Sequence, residues 1–462
     1  MIGWFIDNLA LIMFVAMFAI IFCGYPVAFV MGGTGLVFGF IAWCAGLFDI
    51  GSLSNVLLRM WGGVAMDSTL VSIPSFIFMG TILERSGSAK EMLLATEILL
   101  RRVPGALAVS VMVMGTILAA PIGVVGAAVV MLSVIALKPM LDAGYDTRLA
   151  IGTIASAGTL GILIPPAIMI VVMAEMLNTS AGALFAAATL PGFLLAGLYL
   201  AYILAVAVLR PAKAPKLPAD YGPQTRGEFW RTMWTGLVPM TVLMVLVMGS
   251  IFAGWATATE SAGVGVLGAF LIAAINKRLT WRMTNDAIRS AARANAMVFL
   301  IFLGATCFSY VFRSLGGDDL MISTLAYFGI DTKWKLLWFV MILIFLLGFP
   351  FEWIEICLIV LPIFAPILAK YDFSDWIGPG DSTHFMAWFA TLVAVNLQTS
   401  FMSPPFGATL FYMKGTVPPG TTMTDVFRGM YPFVFLQVVG LFMCMYWPGI
   451  ILWLPRVTGL LE

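Results

Sequence analysis

Charge is scarce in this sequence: Asp, Glu, Lys and Arg make up 10% of 462 residues, and the formal net charge is +1. A nearly neutral chain without a basic patch interleaved with aromatics is not built for nucleic acid. The five cysteines, Cys23, Cys44, Cys307, Cys357 and Cys444, lie in apolar segments without metal-ligand spacing, and there is one histidine. Packing is therefore their expected role, and no redox or structural metal centre follows. Catalytic signatures are missing too, with no HExxH, no serine-nucleophile motif and no paired-Asp motif, so no enzyme is expected. The N-terminal MIGWFIDN has neither the basic region nor the cleavage site of a secretory signal, so the first helix is expected to stay as a membrane span.

What fills the chain is apolar. Hydrophobic residues make up 61%, and long apolar runs recur from Leu9 to Trp453 with no soluble-sized domain between them. The bilayer must be the solvent. The spacing predicts spans near 9–24, 26–46, 69–84, 147–176, 183–209, 233–252, 257–276, 294–311, 384–413 and 430–453. Two longer runs, 105–141 and 336–370, are interrupted midway, at Pro121-Ile122-Gly123 and Gly348-Phe349-Pro350. Both read as re-entrant hairpins, because non-helical backbone at membrane depth survives only under protein cover or beside a cavity. With both termini outside, basic residues such as Arg101, Arg102, Lys213, Lys216, Lys277, Arg278 and Arg282 fall on the inner side. Trp4, Trp230, Trp281, Trp334 and Trp453 fall near span ends, where interfacial aromatics belong.

A Pro-rich, charged linker at 210–232 divides the chain nearly in half, and the halves (1–209 and 233–462) resemble each other. SAGTLGILIPP from Ser156 parallels VNLQTSFMSPP from Val395, each after a long hairpin and before another span. Five spans per half give the halves opposite orientation. The expected fold is thus an all-α polytopic membrane protein with about ten transmembrane helices and two re-entrant hairpins. It has two inverted-topology repeats, each with one span broken at a Pro-Pro motif, the pattern of an elevator-type transporter.

Proline within a helix removes a donor and displaces a carbonyl, so Pro165-Pro166 and Pro404-Pro405 should break their spans near mid-membrane. The freed carbonyls, with hydroxyls from Ser156, Thr159, Thr399 and Ser400, are suited to hold sodium, while the amides beyond each break favour a carboxylate. Gly158 and Gly161 permit the unwound backbone. The plain alternative is an ordinary proline kink, which the matched occurrence in two repeats weakens. The ionisable candidates within apolar segments are Glu175, Glu260, Glu352, Glu355 and His384. Most fall at predicted outer ends, where a solvated face is expected, and His384 is expected at the interface. Glu352 and Glu355 differ, because they flank a hairpin tip that should sit at depth.

The order GYPVAF, SFIFMGTILERSG, SAGTLGILIPP, FEWIEICLIVLPIFAPI and NLQTSFMSPPFGATLFYMKG resembles the large membrane subunit of tripartite ATP-independent periplasmic (TRAP) transporters over nearly the whole chain. The resemblance implies a sodium-driven elevator in a bacterial inner membrane. Its partners would be a separate small four-helix membrane subunit and a periplasmic substrate-binding protein that delivers an organic acid. It implies one sodium site at Gly123, Ser156, Gly158, Thr159 and Gly161, and a second at Glu352, Gln398, Thr399, Ser400 and Met402. Substrate would be held by Val124, Pro165, Pro166, Ser403, Pro404 and Pro405. The first tip, AAPIGVVGA, lacks the serine common in that family, which leaves backbone carbonyls as its ligands, and the NLQTSFMSPP form points to a monocarboxylate or 2-oxo acid. A stand-alone sodium- or proton-coupled carboxylate symporter, needing no binding protein, is the alternative.

Overall fold

The computed structural model describes residues 8–123, 125–218, 222, 225–380 and 382–461, which contain helices and no strands. In chain order, α1 (Leu9–Phe22), α2 (Val27–Cys44), the short α3 (Ser54–Met60), α4 (Ser72–Arg85) and α5 (Ser88–Leu100) come first. A hairpin of α6 (Ala106–Ile122) and α7 (Val125–Asp142) leads into a broken helix, α8 (Thr147–Thr159) and α9 (Ile168–Met176), and then the long α10 (Ala181–Leu209). Beyond the linker lie α11 (Arg226–Phe252), α12 (Ala258–Ile275), α13 (Trp281–Ser314) and the short α14 (Gly317–Tyr327). The second hairpin, α15 (Lys333–Leu347) and α16 (Trp353–Leu368), precedes a second broken helix, α17 (Ser382–Met402) and α18 (Ala408–Lys414). The chain closes with α19 (Met423–Tyr446) and α20 (Gly449–Val457).

Among the described residues, 8 single helices are long and apolar enough to cross a membrane. A span split at a Pro-Pro pair contributes two half-helices, which is why α8 and α9 are each too short to count. The structure differs from the sequence expectation at three places. Residues 430–453 are not one span, because α19 starts at Met423 and stops at Tyr446, where Trp447-Pro448 turns the chain. The span expected at 294–311 is the second half of a 34-residue helix capped by Thr280, whose early turns carry Arg282, Arg289 and Arg293. Helix α5 is an additional helix of 13 residues, too short for a span and interrupted by Lys90, Glu91 and Glu97.

Several helix starts are set by polar caps, since backbone donors in a bilayer find no water. Asp146 accepts from the amides of Arg148 (2.9 Å) and Leu149 (3.3 Å) at the start of α8. Ser180 caps α10, and capping boxes of Thr257 with Glu260 and Thr422 with Asp425 open α12 and α19. Glu260 is therefore an exposed cap rather than a buried carboxylate.

Helices α2 and α13 meet along a seam of small residues. A Cβ on Gly35 would lie 3.0 Å from Cys307 Sγ, and Gly39 faces Val311. Such seams let backbones approach where lipid tails supply no hydrophobic drive. Helix α4 packs on both α12 and α13 beside this seam. At the other extreme, 94% of the apolar window of α17 is buried, against 28% for α11, so α17 is the central post and α11 faces outward. His384, expected at the interface, is buried near the start of that post beneath Gly380.

Candidate functional site

The first break forms where α8, buried from Leu149 to Thr159, tightens into a 3-10 turn at Leu160–Ile162 and then unwinds through Pro165-Pro166. The second forms at Ser403 after α17. Both Pro-Pro bonds are cis. The hydroxyls flanking the breaks are oriented alike. Ser156 donates to Gly152 O (2.8 Å), Thr159 to Ser156 O (3.1 Å), Thr399 to Val395 O (3.1 Å), Ser400 to Leu397 O (2.8 Å) and Ser403 to Thr399 O (2.8 Å). Each proton is thus directed at its own helix, which leaves oxygen lone pairs to accept or to coordinate a cation.

The hairpins close on the breaks with little room. A Cβ on Gly158 would crowd Val129 of α7, and Gly115 of α6 abuts Ala157. Gly123, at φ +67°, ends α6 and packs against Ile168, the first residue of α9. Helix α6 continues through Ile122, so the turn lies at Gly123 rather than across Pro121-Ile122-Gly123. Val124 lies outside the described residues. At the second tip, Gly348 packs on the Ser400 side chain, a contact absent from the expected site.

Packing is reciprocal across the two halves. Helix α8 lies against both arms of its own hairpin and α17 against α15, whereas α9 crosses to α16 and α18 crosses to α7. Asn396 fastens α17 to α15 by donating to Met341 O (2.7 Å). Arg148 on α8 pairs with Asp425 on α19 at 2.9 Å.

Glu352 and Glu355 serve the second tip. Glu352 caps α16, and its backbone N–H donates to the Glu355 carboxylate (3.2 Å). Tyr412 on α18 donates its hydroxyl to Glu352 Oε1 (3.0 Å), while its ring packs over Gly126 of α7. Glu352 therefore engages α18, and Gly348 is the tip residue that meets Ser400. Glu175, at the end of α9, is half-buried.

Sequence reasoning placed Thr159 in one site and Gln398 and Met402 in the other, and the structure brings these three together. Gln398 Nε2 donates to Thr159 Oγ1 (3.3 Å), which also reaches Met402 Sδ (3.3 Å). Tyr199 and Gln437 join them, from α10 and α19, and were not foreseen.

Beside the second break, a cavity of about 690 Å³ is lined by Phe22, Phe349, Pro350, Phe406, Phe411 and Tyr412 among others. The hairpin tip contributes Phe349 and Pro350 to that lining, and its Phe351 packs on Phe22 of α1 with ring centroids 5.5 Å apart. Pro405 and Phe406 are exposed, whereas Pro165 and Pro166 are buried. Among the described residues no group of three or more His, Cys, Asp and Glu is arranged to hold a metal, and the oxygens around the breaks are hydroxyls, carboxamides and carbonyls, with the Glu352 carboxylate at the second tip.

Two interrupted helices, each under a hairpin and crossing at the centre of an apolar helical bundle, define a polytopic membrane transport protein. The chain belongs to the tripartite ATP-independent periplasmic transporter family, DctM component, whose family model matches residues 14–450. It is 28% identical over 417 residues to the C4-dicarboxylate TRAP transporter large permease protein DctM of Pseudomonas aeruginosa, covering 90% of this chain and 92% of that protein. It is likewise 28% identical over 471 residues to the protein of the same name from Rhodobacter capsulatus, covering 98% and 100%. Among solved structures, the Alcanivorax borkumensis YdaH transporter shares the fold with a TM-score of 0.62 at 18% identity, covering 87% of this chain and 90% of that one.

Proposed function

We propose that this chain is the permease subunit of a sodium-coupled secondary transporter in the bacterial inner membrane. It imports an organic acid delivered by a periplasmic binding protein, moves by an elevator mechanism and works beside a separate small four-helix membrane subunit. Family membership supports the tripartite assembly. The observation that carries the coupling is the pair of breaks, where hydroxyls of Ser156, Thr399 and Ser400 keep lone pairs available in a buried setting and Thr159 keeps one beside the bond it accepts from Gln398. Oxygen donors of this kind replace the hydration shell of a hard cation. The reciprocal packing of α9 on α16 and α18 on α7 supports two inverted repeats that move as one body.

The cavity supports a monocarboxylate or 2-oxo acid over a dicarboxylate. Its lining has four phenylalanines and neither Lys nor Arg. A second carboxylate there would be desolvated without a partner, a cost of several kcal/mol in order of magnitude. The test is uptake into proteoliposomes of labelled pyruvate and succinate, with the chain alone, with its small subunit, and with both partners. Sodium-driven pyruvate uptake only in the complete set is expected. Robust uptake by the chain alone would overturn the need for a binding protein, and uptake equally driven by potassium would overturn sodium coupling.

A further inference from the structure

A closed ring of side chains joins the two broken helices. Thr159 lies six residues before Pro165 and Gln398 six before Pro404, and these matching positions are hydrogen-bonded to each other at 3.3 Å. Gln398 Nε2 also reaches the Tyr199 hydroxyl (3.5 Å), which meets the Gln437 side chain. Gln437 Nε2 approaches Met402 Sδ (3.2 Å), and Met402 Sδ returns to Thr159 (3.3 Å). All five residues are at most 1% exposed. Buried carboxamides are held in membrane cores only where partners fix them. Here the Oε1 atoms of both Gln398 and Gln437 have no hydrogen-bond partner. The orientation of Gln398 is therefore set by its amino group alone, through Thr159 on one side and Tyr199 on the other.

We infer that Tyr199 and Gln437 are positioning residues that make the two sodium sites cooperative, an inference that rests on the sodium-coupled reading above. Thr159 belongs to the first proposed site, and Gln398 and Met402 to the second. An ion that draws the Thr159 oxygen toward its own ligands alters the acceptor offered to Gln398, and an ion at Gln398 alters the donor offered to Thr159. Coupling between sites is reciprocal by linkage, and the Thr159–Gln398 hydrogen bond is the direct contact that joins them. Tyr199 and Gln437 touch neither proposed set of ligands except through this ring. They keep Gln398 and Met402 turned toward Thr159 and away from rotamers that would uncouple the sites.

The experiment is an isothermal sodium titration of the purified full chain read by intrinsic tryptophan fluorescence, with choline chloride holding ionic strength constant and the unfolding temperature measured alongside. For the native protein the expected result is a sodium-specific, saturable fluorescence change with a Hill coefficient above 1, bounded by the number of coupled sites. Tyr199→Phe and Gln437→Leu should keep the change while the coefficient falls to about 1. A purely structural role would lower the unfolding temperature at every sodium concentration without changing the coefficient. An unchanged coefficient in both variants overturns the inference, as does a native coefficient of about 1, and either leaves sodium binding intact. A native protein that responds to sodium no differently from choline sinks the sodium-coupled reading along with it. Should Gln437→Leu fail to fold, Tyr199→Phe decides alone. It removes one oxygen and keeps the ring packed edge-on against Phe433 at 5.5 Å.

Discussion

The two Pro-Pro breaks use the same sequence device and have different surroundings. At the first, Ile164, Pro165 and Pro166 are buried, and Gly192 of α10 closes directly over Ile164. At the second, Pro405 and Phe406 are exposed and face a cavity of about 690 Å³. The proline pair determines that a helix stops, but its neighbours decide whether the stop is packed or open. The second break is the one that opens onto a cavity.

The sharpest way to break this comparison is to truncate one residue at each break. Ile164→Ala leaves a gap that Gly192, having no side chain, cannot fill, so a loss of about 2–5 kcal/mol is expected. Phe406→Ala should leave the unfolding temperature nearly unchanged and lower uptake in the complete reconstituted system. Equal destabilisation by the two substitutions would mean that the second break is as tightly packed as the first.

A smaller effect is expected seven residues before each pair, where the first break has Gly158 and the second has Leu397. Gly158→Ala places a methyl against the backbone of Val129, and overpacking there should cost about 1–3 kcal/mol. Thermal unfolding of the purified variant measures it, and a neutral result would show that hairpin and broken helix part easily.

The smallest effect concerns the cap of α8. Burial by itself would raise the Asp146 pKa, but hydrogen bonds from Lys213 and from the amides of Leu149 and Arg148 outweigh it and hold the carboxyl below its ordinary 3.8. A lowered carboxyl contributes its stability above the ordinary value and loses it only as pH falls through the lowered one. Asp146→Ala should therefore cost about 0.5–2 kcal/mol at neutral pH. The difference from the native chain should vanish in unfolding curves taken well below pH 3.8.

Much of the architecture was legible because it rests on local physics. Proline lacks an N–H wherever it stands, and a 37-residue apolar run such as 105–141 is too long for one span and about right for two arms. The residues around each break were legible as oxygen donors for the same reason. Helix α5 was not, because it is 13 residues long and its apolar run is interrupted by Lys90, Glu91 and Glu97, although its buried face packs on α6. Nor was the ring around Gln398. Tyr199 and Gln437 lie 199 and 39 residues away along the chain, and nothing beside either marks it as a partner. Gly348 went unnoticed as a contact because a glycine in a turn has a sufficient local explanation.

Tyr412 has a consequence for how the machine can open. Its ring rests on Gly126 in the arm of one hairpin, and its hydroxyl grips Glu352 at the tip of the other. A hairpin that swings away from α18 must either drag the tyrosine off its opposite number or give up its own hold, and a hydrogen bond to a carboxylate resists that by about 1.5–3 kcal/mol. The side chain thus works like a strap buckled across both hairpins, so that neither shifts against α18 without pulling on the other.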